Sequence, residues 1–474
     1  MGDWLTWNAW TVALDVLLAA TAAGHALLHK RDPRAAWGWI AVCALFPMAG
    51  PALYLLFGIN RVETQARRLV GAPPVVPPRE EETADGMGLV GERSHELREL
   101  IRLGGAMTGR RLTGGNRIGE LHGGEQAYPA MLEAIGAARQ RVWLATYIYT
   151  SGRIGTAFAE ALAQAQARGV EVRVLLDGVA DLYSRPRASR LLRGRGVPAA
   201  LFLPLRWFPP MLHANLRNHR KLLVVDDVAF TGGMNIADYH MAQGPQRERV
   251  QDLHFRIEGP LVQQIAAVFA ADWQFAEGTP LAQAGAAPAH PGAAAGRVIT
   301  DGPNEDIGKL AMVLVGALAS ARQRVWIMTP YLVPSLPLVA ALQSAALRGV
   351  DVSIILPERS DQRWVDWASQ NHLLPLLQRE VRIYRQPAPF AHTKLFLVDQ
   401  AYVQLGSANL DNRSLRLNFE LVVEAFDPAL AARLAAHFEA VRVRSRKVTA
   451  EQLRARSPAV QFRDAFFWLF SPYL

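Results

Sequence analysis

Two histidine–lysine pairs stand at equivalent places in two similar segments of the chain. Each pair is part of a His-x-Lys-x4-Asp pattern, which occurs as His219, Lys221 and Asp226 and again as His392, Lys394 and Asp399. Histidine and lysine two positions apart on a strand point to the same face of that strand. One His-x-Lys is common in proteins, but two full patterns inside an internal repeat are very hard to obtain by chance.

These residue types are suited to a phosphoryl transfer in two steps. Near neutral pH a neutral imidazole is a good nucleophile and an imidazolium is a good acid. One histidine attacks phosphorus and holds a phosphohistidine, while the other protonates the leaving alcohol and later takes a proton from the incoming one. The pattern is symmetric, so it does not say which histidine has which role. This chemistry needs no metal and no other cofactor.

Further polar residues accompany each pattern. Downstream of the two copies come Gly232, Gly233 and Asn235, and then Gly406, Ser407 and Asn409. Glycine lets the backbone approach a ligand closely, and asparagine can donate its amide N–H to a phosphate oxygen. The two lysines would stabilise charge on the non-bridging oxygens. Asp226 and Asp399 fall where each strand turns, so we expect them to brace the turn rather than to contact substrate.

An internal repeat predicts the architecture that positions these residues. Ala-Arg-Gln-Arg-Val-Trp occurs at 138–143 and at 321–326, and each copy precedes a helical segment and an alternating Val/Ile strand. Strand–helix–strand order repeated twice predicts an α/β fold with two similar α/β/α halves, related by a pseudo-two-fold axis. We expect the site at the seam, which is the boundary between the two halves. We assign the halves to residues 115–295 and 296–474.

The first 61 residues read as a membrane hairpin. Two apolar stretches, about 10–28 and 35–57, each approach the ~20 residues that a transmembrane helix needs, and tryptophans lie near their ends. Asp15 and His25 are expected to face the partner helix or to lie near a membrane interface. A buried core hairpin is the alternative, and the positive-inside rule does not decide the orientation. Residues 62–114 form a linker and lead-in, rich in proline and charge over 72–86.

Composition limits the kinds of partner that the chain is expected to bind. The chain has 474 residues, a formal charge of +9 and one cysteine, Cys43, which excludes an intramolecular disulfide and a cysteine-rich metal cluster. A basic chain favours an anionic partner, either nucleic acid or an acidic membrane. The arginines beside the patterns are expected to form a basic rim; they are Arg217, Arg220, Arg413 and Arg416. The apolar segment 462–470 is either an interfacial anchor or docks on the core.

The paired pattern resembles that of the phospholipase D superfamily, and several further sequence segments resemble the cardiolipin synthases within it. The resemblance covers nearly the whole chain, including both apolar stretches, and its most specific segments are 31–39, 53–61, 218–221, 231–236, 329–331, 406–414, 416–420 and 468–474. It implies a phosphatidyltransferase of the bacterial inner membrane that joins two phosphatidylglycerol molecules into cardiolipin and glycerol. It implies no cofactor and no nucleic acid partner.

The resemblance also implies roles for individual residues. Similar enzymes use an acidic residue of each half to orient the histidine of the other half, and by position these are Asp252 and Glu420. By resemblance, His219 is the nucleophile and His392 the general acid. The cationic neighbours of His219 in the sequence favour the same order, because positive charge keeps an imidazole neutral. Two positions depart from the family pattern: Val250 replaces a tryptophan and Ala391 replaces a leucine.

Other functions stay open at this stage. A phosphatidylserine synthase or a hydrolytic phospholipase D would use the same residues. A phospholipase D-like nuclease would suit the basic charge, but the apolar N-terminus and the lack of an aromatic–basic stacking stretch argue against it. An inactive scaffold is expected to lose a histidine or lysine, and all four are present.

Overall fold

The computed structural model describes residues 2–30, 33–58, 86–90, 94–204, 216–241, 249–282, 292–303 and 308–471. The chain divides into two compact units, Met1–Ala72 and Pro73–Leu474. Most of the expected linker, including the proline-rich stretch 72–86 except its last residue, lies outside the described residues. The lead-in to the second unit contains a helix that the sequence analysis did not assign, α4 (Ser94–Thr108).

The N-terminal unit contains α1 (Gly2–His29), α2 (Pro33–Leu45), the short α3 (Ala49–Leu53) and a π-helical turn over Tyr54–Gly58. Within the described residues one helix is long and apolar enough to cross a membrane, over Ala9–His29, with a mean hydropathy of 1.6. The second apolar stretch is therefore not the single continuous helix that we expected.

Proline explains the break in the second stretch. A proline inside a helix removes a hydrogen bond and clashes with the preceding turn. Pro47 lies two residues after the end of α2, and Met48 adopts a positive φ of 56°. With 13 residues, α2 spans about 20 Å at ~1.5 Å per residue, which is shorter than a bilayer core of about 30 Å.

Two polar residues of α1 bond to the segments that follow it. Oδ1 of Asp15 accepts a hydrogen bond from the backbone N–H of Met48 at 2.5 Å. Nδ1 of His25 lies 2.7 Å from the hydroxyl of Tyr54, and the two rings meet edge to face. The expectation that Asp15 and His25 face the neighbouring helical segments is confirmed. Both side chains satisfy their polar groups inside the unit.

The second unit is built on one sheet of 15 strands. Its strands and the two short strand pairs beside it are β1 (Thr113–His122), β2 (Arg141–Thr146), β3 (Glu171–Asp177), β4 (Ala199–Phe202), β5 (Leu222–Val225), β6 (Val228–Gly232), β7 (Val250–Gln251), β8 (Leu253–Glu258), β9 (Ala294–Asp301), β10 (Arg324–Met328), β11 (Leu332–Val333), β12 (Asp351–Pro357), β13 (Arg382–Gln386), β14 (Phe390–Ala391), β15 (Leu395–Val398), β16 (Tyr402–Gly406), β17 (Leu410–Asp411), β18 (Glu420–Phe426) and β19 (Arg446–Lys447).

Helices cover both faces of this sheet. They are α5 (Gly123–Ala137), α6 (Arg153–Ala167), α7 (Ala188–Arg193), α8 (Leu261–Glu277), α9 (Lys309–Ser320), α10 (Leu336–Leu347), α11 (Arg363–Leu377), α12 (Pro428–Arg444), α13 (Ala450–Arg454) and α14 (Pro458–Trp468). Short 3-10 turns occupy Ala180–Tyr183 and Asp238–His240.

The strand order repeats within the sheet. It runs β19-β13-β12-β10-β15-β16-β18-β9-β1-β8-β6-β5-β2-β3-β4. Leaving the edge strand β19 aside, the order on one side of the β9–β1 junction is the mirror of the order on the other side. The copies of the sequence repeat therefore form equivalent strands, β2 with β10 and β5 with β15. An α/β fold with two similar halves, as the repeat predicts, is observed.

One hydrophobic core joins the halves. It packs α8 of the first half and α12 of the second against the sheet, with Trp143 stacked on Phe269 and Trp326 stacked on Phe438. Separate cores under the other helices complete each half. Large buried aromatic side chains each contribute roughly 2–3 kcal/mol by burial, so this shared core holds the seam as one rigid base for the site.

Candidate active site

The two His-x-Lys segments lie just before β5 and β15, and each pairs with the opposite half. The backbone N–H of His219 donates to the carbonyl of Phe419 at 2.9 Å. The backbone N–H of His392 donates to the carbonyl of Gln251 at 2.8 Å. These backbone bonds cross the seam, so each histidine is held by the other half of the protein as well as by its own.

Glu420 bonds the imidazole of His219 across the seam. Nδ1 of His219 lies 3.0 Å from Oε1 and 3.1 Å from Oε2 of Glu420. The carboxylate is fully buried and also accepts a hydrogen bond from the hydroxyl of Ser407 at 2.5 Å. Since a carboxylate is an acceptor, Nδ1 donates its proton, which leaves the lone pair on Nε2.

The other histidine has the reciprocal arrangement. Nδ1 of His392 lies 2.8 Å from Oδ2 of Asp252, and Oδ1 of Asp252 accepts the backbone N–H of Leu253. Glu420 begins β18, and Asp252 directly precedes β8, the equivalent strand of the first half. The structure thus brings together all four residues that the sequence analysis placed in these pairs.

Both lysines point at the same part of the site. Nζ of Lys221 donates to the carbonyl of His219 at 2.7 Å, and Nζ of Lys394 donates to the carbonyl of His392 at 2.6 Å. An ammonium group carries three N–H donors, so each lysine keeps donors for an anion. Nζ of Lys221 also lies 5.3 Å above the ring of Tyr147.

Charge and burial shape the acid–base properties of this cluster. Burial, opposed by Glu420, lowers the pKa of His219 to about 4, with Lys221 and Lys394 lowering it further. Burial and both lysines also hold the pKa of His392 well below its usual value. Burial lowers the pKa of Lys221 to about 7 and that of Lys394 to about 8. An anion between the histidines would reverse part of each shift, because it favours the charged forms.

The two carboxyl groups differ. Burial raises the pKa of Glu420, but His219, Lys221 and Ser407 outweigh it, and the net pKa lies below the usual value. Burial raises the pKa of Asp252 above its usual value, although Lys394 and His240 oppose that rise. The pKa of the carboxyl group behind His219 is thus lowered, while that of the carboxyl group behind His392 is raised.

The local-charge argument for the two histidine roles is wrong. Arg217 and Arg220 are buried rather than part of a basic rim, and they pair with the buried acids Asp177 and Asp272. Both lysines act on both imidazoles. These sequence neighbours of His219 thus point into the protein, towards buried acids of their own half.

The two asparagines differ in their surroundings. Oδ1 of Asn235 accepts the backbone N–H of Ile148 at 3.1 Å, and its amide donates to the hydroxyl of Tyr239 at 3.2 Å. Oδ1 of Asn409 is buried and has no hydrogen-bond partner among the described residues. Contact of either amide with phosphate stays a prediction.

Asp226 and Asp399 lie at the turns between paired strands, with positive φ of 47° and 51°. Each carboxylate accepts the backbone N–H groups of three consecutive residues that lead into β2 or β10. These donors are Arg139, Gln140 and Arg141 for Asp226, and Arg322, Gln323 and Arg324 for Asp399. This geometry is that of a brace, and it fixes the strand beside each His–Lys segment.

Sequence reasoning missed two buried histidines near the carboxyl groups and the bond that Ser407 makes to one of these groups. Ser407 bonds Glu420, while its counterpart Gly233 leaves space that the Asp252 carboxylate fills, since a Cβ there would lie 2.4 Å from Oδ2. His240 and His254 are buried near Asp252, and burial lowers the pKa of His240 to about 3 and of His254 to about 4. Comparing Gly-Gly-x-Asn with Gly-Ser-x-Asn would have found the first difference.

A polar cavity of about 250 Å³ lies beside Asp252. Residues from both halves line it, among them Gln251, Gln386 and Thr393. The amide of Gln386 donates to Oε1 of Gln251 at 3.0 Å across the seam. On the other side of the site, Phe419 packs against Phe202 and Phe275 instead. The surroundings of the two histidine–carboxyl pairs are thus polar on one side and apolar on the other.

Two α/β halves that share a sheet and bring paired His-x-Lys segments to their seam define a phospholipase D-like protein. The family described as "Cardiolipin synthase, PLD-like domain" matches residues 131–273 and 314–442, and the family described as "Phospholipase D-nuclease N-terminal" matches residues 13–58. The chain belongs to the phospholipase D-like cardiolipin synthase family.

Characterised relatives are similar over almost the whole chain. Cardiolipin synthase A of Pseudomonas aeruginosa is 33% identical over 469 residues, which is 97% of this chain and 94% of the relative. Major cardiolipin synthase ClsA of Bacillus subtilis is 29% identical over 482 residues, 97% of each chain. The crystal structure of phosphatidylserine synthase from Haemophilus influenzae has the same fold, with a TM-score of 0.59 and 16% identity over 75% of this chain and 95% of that one.

Proposed function

We propose that the chain is a cardiolipin synthase that transfers a phosphatidyl group between two phosphatidylglycerol molecules, through a phosphohistidine intermediate. The observation that carries the proposal is the pair of reciprocal bonds across the seam, from His219 to Glu420 and from His392 to Asp252. They orient two imidazoles with their Nε2 atoms free for one phosphodiester. The relatives named cardiolipin synthase support the choice of lipid.

In the first step Nε2 of His219 attacks phosphorus, and the bond from phosphorus to the glycerol oxygen breaks. The proton on His392 passes to that oxygen, and glycerol leaves. Glu420 stabilises the positive charge that forms on the imidazole of His219. Lys221 and Lys394 stabilise the negative charge on the non-bridging phosphate oxygens. The roles of the two histidines follow the family resemblance, since the structure is nearly symmetric at this point.

In the second step a hydroxyl of another phosphatidylglycerol attacks the phosphohistidine. His392 takes the hydroxyl proton, the new phosphorus–oxygen bond forms, and the phosphorus–nitrogen bond to His219 breaks. No proton is gained or lost over the two steps. One phosphodiester bond replaces another of the same kind, so the reaction is reversible and cardiolipin with glycerol returns phosphatidylglycerol. The phosphodiester raises the pKa of His392 when it binds, which lets this histidine carry the proton it must donate.

We place the enzyme in the bacterial inner membrane, held by its N-terminal unit. We infer that the helix over Ala9–His29 forms one span, because it is long and apolar enough to cross a membrane. The second apolar stretch, with its break at Pro47, would cross back as a broken helix whose exposed backbone groups are satisfied within the hairpin. Bonds such as the one from Met48 to Asp15 support this arrangement.

The test uses purified full-length protein in mixed micelles with labelled phosphatidylglycerol as sole lipid substrate. We expect equal amounts of glycerol and cardiolipin, without added nucleotide, and the same rate in EDTA. The controls are the single variants His219→Ala and His392→Ala. A requirement for a CDP-activated lipid would contradict the proposal. Phosphatidic acid as the main product would instead assign a hydrolase.

A further inference from the structure

We propose that the catalytic unit makes its own contact with an anionic bilayer surface, through an apolar rim contributed by both halves at the mouth of the site. The first half provides Leu182 and Tyr183. The second half provides exposed apolar side chains of α11, of α14 and of the residues after it, which are Trp364, Phe466, Trp468, Leu469 and Phe470. We call these seven residues the rim.

The rim of the first half adjoins His219. Tyr183 lies in the 3-10 turn after β3, and its ring meets the ring of Tyr147 edge to face at 6.4 Å. Tyr147 in turn meets the ring of His219 at 5.1 Å. The exposed Tyr183, 58% accessible, is thus separated from His219 by one side chain, that of Tyr147.

The rim of the second half is tied to the site by two hydrogen bonds. The hydroxyl of Tyr331 donates to Asp361 at 2.6 Å, just before α11 begins, and Tyr331 connects through Phe390 to His392 by ring contacts of 6.4 and 5.9 Å. The amide of Asn412 donates to the carbonyl of Ser471 at 3.0 Å. Asn412 follows Asn409 by three residues, so the end of the apolar segment is fixed beside the site.

Packing separates the anchored from the exposed side of α14. Phe467 packs on Trp367 of α11 at 4.9 Å, and the guanidinium of Arg463 lies 4.4 Å above the same ring. Asp464 is buried and paired with Arg456. Leu469 remains 66% exposed. One face of α14 therefore docks on the core, which is one of the two alternatives from the sequence, while the other face is apolar and exposed. The interfacial anchor, the second alternative, stays a prediction for that exposed face.

Charge identifies the occupant as a membrane rather than a second protein. Exposed arginines flank the rim on both sides: Arg185 and Arg187 follow Tyr183, and Arg359 and Arg363 precede Trp364. The two acids of the latter stretch are already bonded, Glu358 to Arg446 and Asp361 to Tyr331. Tryptophan and phenylalanine beside arginine are typical of segments that lie in the headgroup region of anionic bilayers. A lipid substrate would enter the seam from that surface with its acyl chains still in the bilayer.

The first test measures whether the rim lies in lipid when the protein is bound to a bilayer. The full chain carries Cys43→Ala and a single cysteine at one of three places, Leu469→Cys, Tyr183→Cys or Leu347→Cys, and is spin-labelled and reconstituted in vesicles containing phosphatidylglycerol. Leu347 is a matched control because it is 58% exposed and ends α10 just before the start of β12, whereas the His392 segment lies beside the other end of these parallel strands. We expect labels at 469 and 183 to be reached by oxygen rather than by an aqueous nickel chelate, and the reverse at 347.

Nickel accessibility at 469 and 183 equal to that at 347 would overturn the proposal. So would protection of both labels from both reagents in the absence of lipid, which would assign the surface to a second copy of the chain. The measurement needs no enzymatic turnover, so a negative result here is distinct from failure of the proposed function. Only the direction of substrate entry rests on the proposed function.

The second test compares the activity on substrate in vesicles with the activity on substrate dispersed as monomers. We expect the double variant Leu469→Ser with Phe470→Ser to lose at least tenfold in rate on phosphatidylglycerol in vesicles, and to stay within twofold of the parent on a short-chain phosphatidylglycerol dispersed as monomers. Leu347→Ser should match the parent on both. Equal losses on both substrates would mean that the segment supports the fold of the site instead of contacting lipid.

Discussion

The hydroxyl of Ser407 donates a hydrogen bond to the carboxylate of Glu420, and the matching position in the first half is Gly233, which cannot do so. Glu420 thus has a partner that Asp252 lacks, and its pKa is lowered where that of Asp252 is raised. The two halves are equivalent in topology but not in chemistry. A firm carboxylate behind His219 suits the histidine that becomes positively charged on forming the bond to phosphorus.

The first prediction concerns this carboxylate. Glu420→Gln keeps the shape but offers an amide that no longer fixes the tautomer of His219, so kcat should fall about 10²–10⁴-fold. Ser407→Ala removes one hydrogen bond to a charged group and should cost roughly tenfold. Both variants should keep the thermal unfolding midpoint within a few degrees. A Glu420→Gln enzyme with near-parental kcat would show that the contact does not orient the nucleophile.

A second prediction tests whether Asp226 supports the structure of the turn or takes part in catalysis. Loss of three charge-assisted hydrogen bonds in Asp226→Ala should lower the free energy of unfolding by about 2–4 kcal/mol. At a temperature where the variant is folded, its kcat should lie within threefold of the parent. Asp227→Ala, at the exposed neighbouring position, is the control and should change neither quantity. A large loss of kcat at full stability would assign Asp226 to the chemistry.

The lysines make a pH prediction. Burial lowers the pKa of Lys221 to about 7 and that of Lys394 to about 8 in the free protein. Only the ammonium form attracts phosphate, so kcat/KM should fall as the pH rises through about 7 to 8. The bound phosphodiester favours the ammonium form, so kcat should fall only at a higher pH.

The matched variant for this profile is Lys394→Arg. Arginine stays protonated throughout, so the part of the alkaline fall due to Lys394 should disappear, although the peak activity drops because the shape changes. The measurement is a pair of pH profiles under identical ionic strength. A kcat/KM that stays constant to pH 10 in the parent would refute the assignment of the lysines as the phosphate-binding cations.

Much of the fold was predictable because the sequence contains an internal repeat. The two copies of Ala-Arg-Gln-Arg-Val-Trp lead to equivalent strands, β2 and β10, and the repeat therefore predicted two similar halves. The pairing of Asp252 and Glu420 with the opposite histidines came from family resemblance, since nothing local to either residue indicates contact over a separation of 140 or 201 residues.

Other features depend on packing and were not predictable from the sequence. Arg217 and Arg220 looked like a solvated rim, but they are buried because Asp177 and Asp272 arrive from distant elements. The second apolar stretch is long enough for one span, yet Pro47 lies within it and the regular helix ends at Leu45. The polar cavity beside Asp252 arises between the halves and has no sequence signal.

A further prediction concerns the boundary between the two compact units. A chain lacking residues 1–60 should fold as a soluble body with the same kcat on short-chain phosphatidylglycerol and a lower rate on vesicles, because few contacts cross a linker of this kind. Sedimentation and near-UV circular dichroism provide the check on folding. Aggregation of the truncated chain would mean that the hairpin is part of its core.

The most direct test of the account is intact-mass analysis of the histidine variants with a phosphatidyl ester of p-nitrophenol, a leaving group that needs little protonation. The His392→Ala variant should gain one phosphatidyl group, slowly and in acid-labile form, and peptide mapping should place it on His219. The His219→Ala variant should gain none with any substrate. A phosphatidyl adduct trapped on His392 in the His219→Ala variant, with none in the His392→Ala variant, would reverse the roles, and no adduct in either would contradict covalent catalysis at this site.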